Sequence, residues 1–117
     1  MGYSNLWGEA PEHVVLPRAH EYEIVAFRLE REPMDGDEPY VDIVFRRGAE
    51  RRLLRFWSPQ ELQIERGGPV RTGGLTIQDI SGRGLERLGV RVADFESSHG
   101  AVTFLARTVC ELPREAG

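Results

Sequence analysis

Gly89-Val90-Arg91-Val92-Ala93-Asp94-Phe95, then Glu96-Ser97-Ser98-His99-Gly100, then Ala101-Val102-Thr103-Phe104-Leu105-Ala106-Arg107-Thr108-Val109-Cys110: this stretch decides the fold. Two runs rich in β-branched and aromatic residues flank a polar turn that closes on glycine, which is the pattern of a β-hairpin. The second run is apolar on both faces from Val102 to Ala106. That predicts a strand buried on both sides, at the centre of a sheet. The other strands are expected to lie against it.

Working outward, Tyr40 to Arg47 alternates, with Val41, Ile43 and Phe45 opposite Asp42, Val44 and Arg46. Gly48-Ala49 then reverses the chain into Arg51 to Trp57, where Leu54 and Phe56 oppose Leu53, Arg55 and Trp57. Two alternating runs around a short glycine-containing turn predict a second hairpin. Glu21 to Arg31 reads as a long strand crossing the core, apolar on both faces at its centre and charged at its ends. The connection from Glu32 to Pro39 carries Pro33, Asp35-Gly36-Asp37 and Pro39, and is read as a turn. Glu61 to Glu65 and Leu75 to Ile80 are two further strands, separated by a glycine-rich loop from Arg66 to Gly74. Ser81 to Leu88 is the one helical candidate, capped by Ser81 and ended by Gly89, one or two turns long because Gly82 and Gly84 weaken it.

The 117 residues are read as a single domain, 1–117, able to bury roughly two-thirds of the surface its unfolded chain exposes. Residues 1–19 form an N-terminal arm whose Tyr3, Leu6 and Trp7 latch onto that domain, with His13 to Leu16 as a short edge strand closed by Pro17. Residues 113–117 form a frayed tail. Turn signals recur roughly every ten residues, a spacing typical of all-β folds. The predicted fold is therefore mainly β: an antiparallel sandwich or strongly curved sheet of seven to eight strands with one short helix.

The chain is 40% apolar and 29% charged with a net charge of −4, an ordinary soluble composition. That mild acidity argues against a general binder of nucleic acid or anionic membranes. Cys110 is the single cysteine, so no internal disulfide forms, and a reducing compartment is expected. No apolar run reaches the roughly 20 residues of a membrane helix, and no signal peptide is recognised, so the cytoplasm is the expected location.

His13, His20 and His99 have no metal-ligand spacing and are read as turn or surface residues, so no metal and no cofactor is expected. Asp35-Gly36-Asp37-Glu38 lacks the ligand pattern of a calcium loop. Ser97-Ser98-His99 are neighbours in a turn with no orienting acid, which is not a catalytic arrangement. The glycine-rich loop lacks the Lys-Ser/Thr of a phosphate loop. Arg46, Arg47, Arg51, Arg52 and Arg55 crowd the second hairpin. Their guanidinium groups are expected to meet acids of the same chain, with Glu30, Glu32, Asp35, Asp37, Glu38 and Asp42 as candidates. Trp57 is read as core, with an exposed contact residue as the alternative, and Cys110 as a buried structural thiol.

From Arg55-Phe56-Trp57 to Cys110 the chain resembles small bacterial β-rich proteins of unknown function and the immunity proteins encoded beside polymorphic toxins. The residues carrying this are Leu62-Gln63-Ile64, Leu75-Thr76-Ile77-Gln78-Asp79-Ile80-Ser81, Leu85-Glu86, Phe95-Glu96 and Gly100-Ala101-Val102-Thr103-Phe104. The resemblance implies no active-site residues. The expected function is non-catalytic binding of another protein, in particular immunity-type inhibition of a bacterial toxin, with no nucleic-acid or membrane partner and with a homodimer compatible. Arg55, Trp57 and Arg71 are the candidate binding residues, since Arg55 and Trp57 end a strand beside the loop carrying Arg71. The rival is a small-molecule or metal-binding β-domain, a divergent enzyme included, using His20 or His99 with Tyr22, Asp79 or Asp94.

Overall fold

The computed structural model describes residues 11–32, 38–64, 75–83, 88–94 and 102–113. They form eight strands: β1 (Glu23–Glu30), β2 (Tyr40–Arg47), β3 (Glu50–Trp57), β4 (Gln60–Ile64), β5 (Leu75–Asp79), β6 (Val90–Asp94), β7 (Val102–Ala106) and β8 (Thr108–Leu112). Two four-stranded sheets result, in the orders β1-β2-β3-β8 and β4-β7-β6-β5, with every pairing antiparallel. The expected mainly β fold forms, and of its two expected arrangements the one with two antiparallel sheets is found.

The alternation of β2 and β3 places Val41, Ile43, Phe45, Leu54 and Phe56 in the core, each fully buried. Gly48 has φ +62° at the first of two central turn positions, the arrangement of a type II′ hairpin, and Arg47 pairs with Glu50 across it. The second sheet sends Leu75, Ile77, Val90, Val92, Val102, Phe104 and Ala106 into the same core. Phe56 and Phe104 meet edge-to-face across it, with ring centroids 5.2 Å apart.

β6 and β7 form the expected hairpin, with Val90 opposite Ala106 and Val92 opposite Phe104. β7 lies between β4 and β6, the predicted central position. The run from Ala101 to Cys110, expected as one strand, is two. β7 ends at Ala106, and after Arg107 the chain continues as β8 in the other sheet. The switch is fixed at Arg107, whose amide donates to the Trp57 carbonyl at 2.8 Å. Its guanidinium grips both oxygens of Glu38 at 2.8 and 2.9 Å. The Ser58 hydroxyl donates to the same carboxylate at 2.5 Å. Ser58 is where the chain leaves β3 for β4, so one carboxylate ties together both places where the chain changes sheets.

Three further expectations are corrected. β1 is an edge strand, not a strand through the core. A bulge between Ile24 and Ala26 interrupts its pairing, Ala26 is exposed, and Val25 and Phe27 are only half-buried. His13 to Leu16 is a turn, not a strand: Val14 is 86% exposed. The arm reaches the β5 edge through a single bridge between Glu12 and Gln78, flanked by His13 N to Ile77 O and Asp79 N to Pro11 O, both 2.8 Å. It then buries Leu16 and Ala19 completely. Finally, Ser81–Arg83 is a 3-10 turn. Its start is held by Asp79, whose carboxylate accepts from the Ser81 hydroxyl at 2.6 Å and amide at 3.0 Å, so Asp79 takes the capping role expected of Ser81.

Residues 84–87 of the helical candidate lie outside the described residues, and Gly89 serves close approach. A Cβ there would lie 2.7 Å from the Arg107 carbonyl oxygen. The Arg66–Gly74 loop, the turn of the β6–β7 hairpin, Trp7 and the tail from residue 114 lie outside the described residues.

Candidate functional site

The strand register of the first sheet arranges its solvent-facing side chains in rows that cross all four strands. Ala26, Val44, Leu53 and Leu112 are successive partners and form an apolar row. Ala26 is exposed and the other three are half-buried. Two residues further along each strand, the next row is Arg28, Asp42, Arg55 and Cys110, and the one after it is Glu30, Tyr40, Trp57 and Thr108. On the other side of the apolar row stand Glu23, Arg46 and Arg51.

Arg55 is the hub of this face. Asp42 accepts from its Nε at 2.8 Å and from its Nη2 at 2.9 Å, a two-point carboxylate grip. Its guanidinium carbon lies 3.6 Å from the Tyr40 ring centroid and 5.4 Å from that of Trp57. The two rings stand edge-to-face, with centroids 5.5 Å apart. The Asp42 hydrogen bonds raise the Arg55 pKa above its ordinary value. Stacking plus a planar grip locks a long side chain that would otherwise be mobile.

Trp57 is therefore not core. It is half-buried on the outer face, where the alternation opposite Phe56 already placed it. Cys110 is likewise half-buried on this face, opposite Arg55, and not the interior thiol expected. Arg71 lies outside the described residues. Of the three candidate binding residues, the structure thus brings together Arg55 and Trp57 and adds Tyr40 and Asp42, which sequence reading missed. Their signal was the register itself: Tyr40 opposes Trp57 and Asp42 opposes Arg55 across the predicted hairpin.

The arginine cluster meets acids of its own chain, as expected, but mostly not the ones expected. Arg46 pairs with Glu23, and Arg47 with Glu21 and Glu50. Arg52 pairs with Glu50 and Glu111, whose hydrogen bonds raise its pKa. Among the described residues, Asp42, the partner of Arg55, is the one member of the predicted set that meets the cluster, and Asp35 and Asp37 lie outside the described residues. Glu30 engages Arg28 and Glu38 engages Arg107. Arg51 has no acidic partner among the described residues. Apart from the part-buried Arg55–Asp42 pair, these pairs are at least partly exposed and worth about 0–1 kcal/mol each. Arg51→Ala should therefore leave the unfolding midpoint in urea nearly unchanged, and Arg47→Ala should lower stability by less than about 1 kcal/mol. A larger loss for either would show that the cluster is part of the packed interior.

Of the residues named for metal or small-molecule chemistry, Tyr22 and Asp79 are engaged by other side chains of the protein. His13 sits in the arm, where its Nδ1 accepts from the Val15 amide at 3.0 Å. The Tyr22 hydroxyl donates to Glu50 at 3.0 Å, while Asp79 is engaged by Ser81. His20 is half-buried in a 3-10 turn, and His99 and the Asp94 side chain lie outside the described residues. Among the described residues, no group of three or more His, Cys, Asp or Glu could hold a metal ion. None of their helices is long and apolar enough to cross a membrane.

The fold and this face define an all-β protein with a structured outer sheet surface. Comparison with family models, curated proteins and solved structures finds no match for the chain.

Proposed function

We propose that the chain is a non-catalytic protein-binding module, an inhibitor of the immunity type acting in the bacterial cytoplasm, and that it docks its partner on the outer face of the β1-β2-β3-β8 sheet. The observation that carries this reading is the apolar row Ala26–Val44–Leu53–Leu112, set between rows in which Arg28, Arg46 and Arg55 are paired with carboxylates and, among the described residues, Arg51 is left without one. Burying unpaired charge is costly, and burying apolar surface is favourable. A face whose Arg28, Arg46 and Arg55 each hold a neighbouring carboxylate avoids much of that cost. Tyr40 and Trp57 beside the row supply rigid aromatic area of the kind that anchors protein interfaces. Blocking a toxin requires only a complementary surface, so the reading asks for no catalytic group.

The test is protection. The products of the genes flanking this one in its source genome would be expressed singly, then together with this chain. One product is expected to arrest growth alone and to be neutralised in the pair. If no flanking product is toxic, or none is neutralised, the immunity reading fails.

A further inference from the structure

A groove of about 380 Å³ lies at the seam between the two sheets, away from the apolar row, lined by Leu29, Arg31, Pro39, Pro59, Glu61 and Leu62. It lies within the size range of about 300–1,000 Å³ of small-molecule sites, though at its lower end. Its lining is contributed by the end of β1, the entry to β2, the β3–β4 junction and the start of β4. The apolar part consists of two leucines and two prolines. Proline carries no N–H to satisfy, so Pro39 and Pro59 present a surface without orphaned donors.

The two charged residues of the groove differ from most others in the molecule. Among the described residues, nine arginine–carboxylate pairs draw in Arg18, Arg28, Arg46, Arg47, Arg52, Arg55 and Arg107. Arg31 and Glu61 join none of these pairs, although they line the same groove with opposite signs. They do not bridge each other either. One follows β1 of the first sheet and the other belongs to β4 of the second, so each sheet contributes to the rim one charge that is unpaired among the described residues. Glu61 is also held at φ +55°, a left-handed conformation uncommon for a non-glycine residue, within the irregular pairing of β4 with β7.

We infer that this groove binds a small apolar zwitterion of dipeptide size, its carboxylate met by Arg31, its ammonium by Glu61, and its apolar side chains laid on Leu29, Leu62, Pro39 and Pro59. A guanidinium receives a carboxylate at two points, and a carboxylate accepts from an ammonium, so the two rim charges read the two ends of one molecule. The apolar lining selects side chains without charge. The inference is independent of the docking face described above, because none of the groove residues belongs to the apolar row.

The test is a titration of isotope-labelled protein with leucyl-leucine, followed by amide NMR. Saturable shifts are expected at Leu29, Arg31, Glu61 and Leu62, and not at Val44 or Leu53. Glu61→Gln keeps side-chain size, Arg31→Gln shortens it, and each removes one charge. Each should weaken binding at least tenfold while the remaining amide spectrum stays as in the parent protein. The same dipeptide acetylated at its N-terminus and amidated at its C-terminus should not bind. Absence of saturable shifts at millimolar dipeptide overturns the proposal. Equal binding of the blocked form also overturns it, and would assign the groove to an uncharged apolar chain segment instead.

Discussion

Phe104→Ala is expected to destabilise the protein by about 3–5 kcal/mol, a large share of the stability of a domain this size. Phe104 is 2% exposed and sits on β7, one of the two strands flanked on both sides in its sheet. Its ring meets Phe56 from the opposite sheet edge-to-face at 5.2 Å. Truncation removes this contact between the sheets and leaves a void that surrounding strands, fixed by their ladders, cannot close. Phe27→Ala is the internal control. Phe27 is half-buried on the edge strand, so the same truncation there should cost clearly less. Urea unfolding of the two variants gives the comparison. Equal losses would mean that the core is not centred on the Phe56–Phe104 contact.

Gly89→Ala should cost about 1–3 kcal/mol, the scale of an overpacked interior, although it adds a single methyl group. The new Cβ would lie 2.7 Å from the Arg107 carbonyl oxygen, well inside van der Waals contact. That oxygen is backbone at the point where the chain changes sheets, so it cannot swing aside like a side chain. The Gly89 amide donates to Ala106 at 3.0 Å and its carbonyl accepts from Ile80 at 2.9 Å, which holds Gly89 in place as well. Gly82→Ala, where an added Cβ meets nothing within 4 Å, is the matched substitution and should be close to neutral. A neutral Gly89→Ala would show that the sheet switch yields easily and that Glu38 does not clamp it.

The β2–β3 hairpin was legible because period-two alternation and a glycine turn agree, and both strands end within a residue of where the sequence places them. The split between β7 and β8 was not. From Ala101 to Cys110 neither glycine nor proline interrupts the apolar run, and the break is set by Glu38, 69 residues distant from Arg107. The same limit applies to the ion pairs. Glu111 reaches Arg52 across 59 residues, a contact that strand order creates and local sequence does not encode. β1 misled because an apolar strand centre reads alike for a central strand and for an edge strand half-covered on one face. Trp57 was a misreading of an available signal: if Leu54 and Phe56 point inward, alternation sends Trp57 outward with Arg55. The candidate site was legible only as two residues. Its remaining members, Tyr40, Asp42 and the apolar row, required the register across four strands.

The docking claim is tested most directly at Leu53, at the middle of the apolar row. Glutamate there would place a charge beneath any partner covering the face. Because Leu53 is only half-buried in the free protein, the fold should tolerate the change. Isothermal titration of the partner identified by the protection test against Leu53→Glu should show at least a hundredfold loss of affinity, about 2.7 kcal/mol, with the melting temperature within a few degrees of the parent protein. Val14→Glu, at an 86% exposed position in the arm, should bind as the parent does. Full affinity in Leu53→Glu would contradict the account and place the interface elsewhere on the molecule.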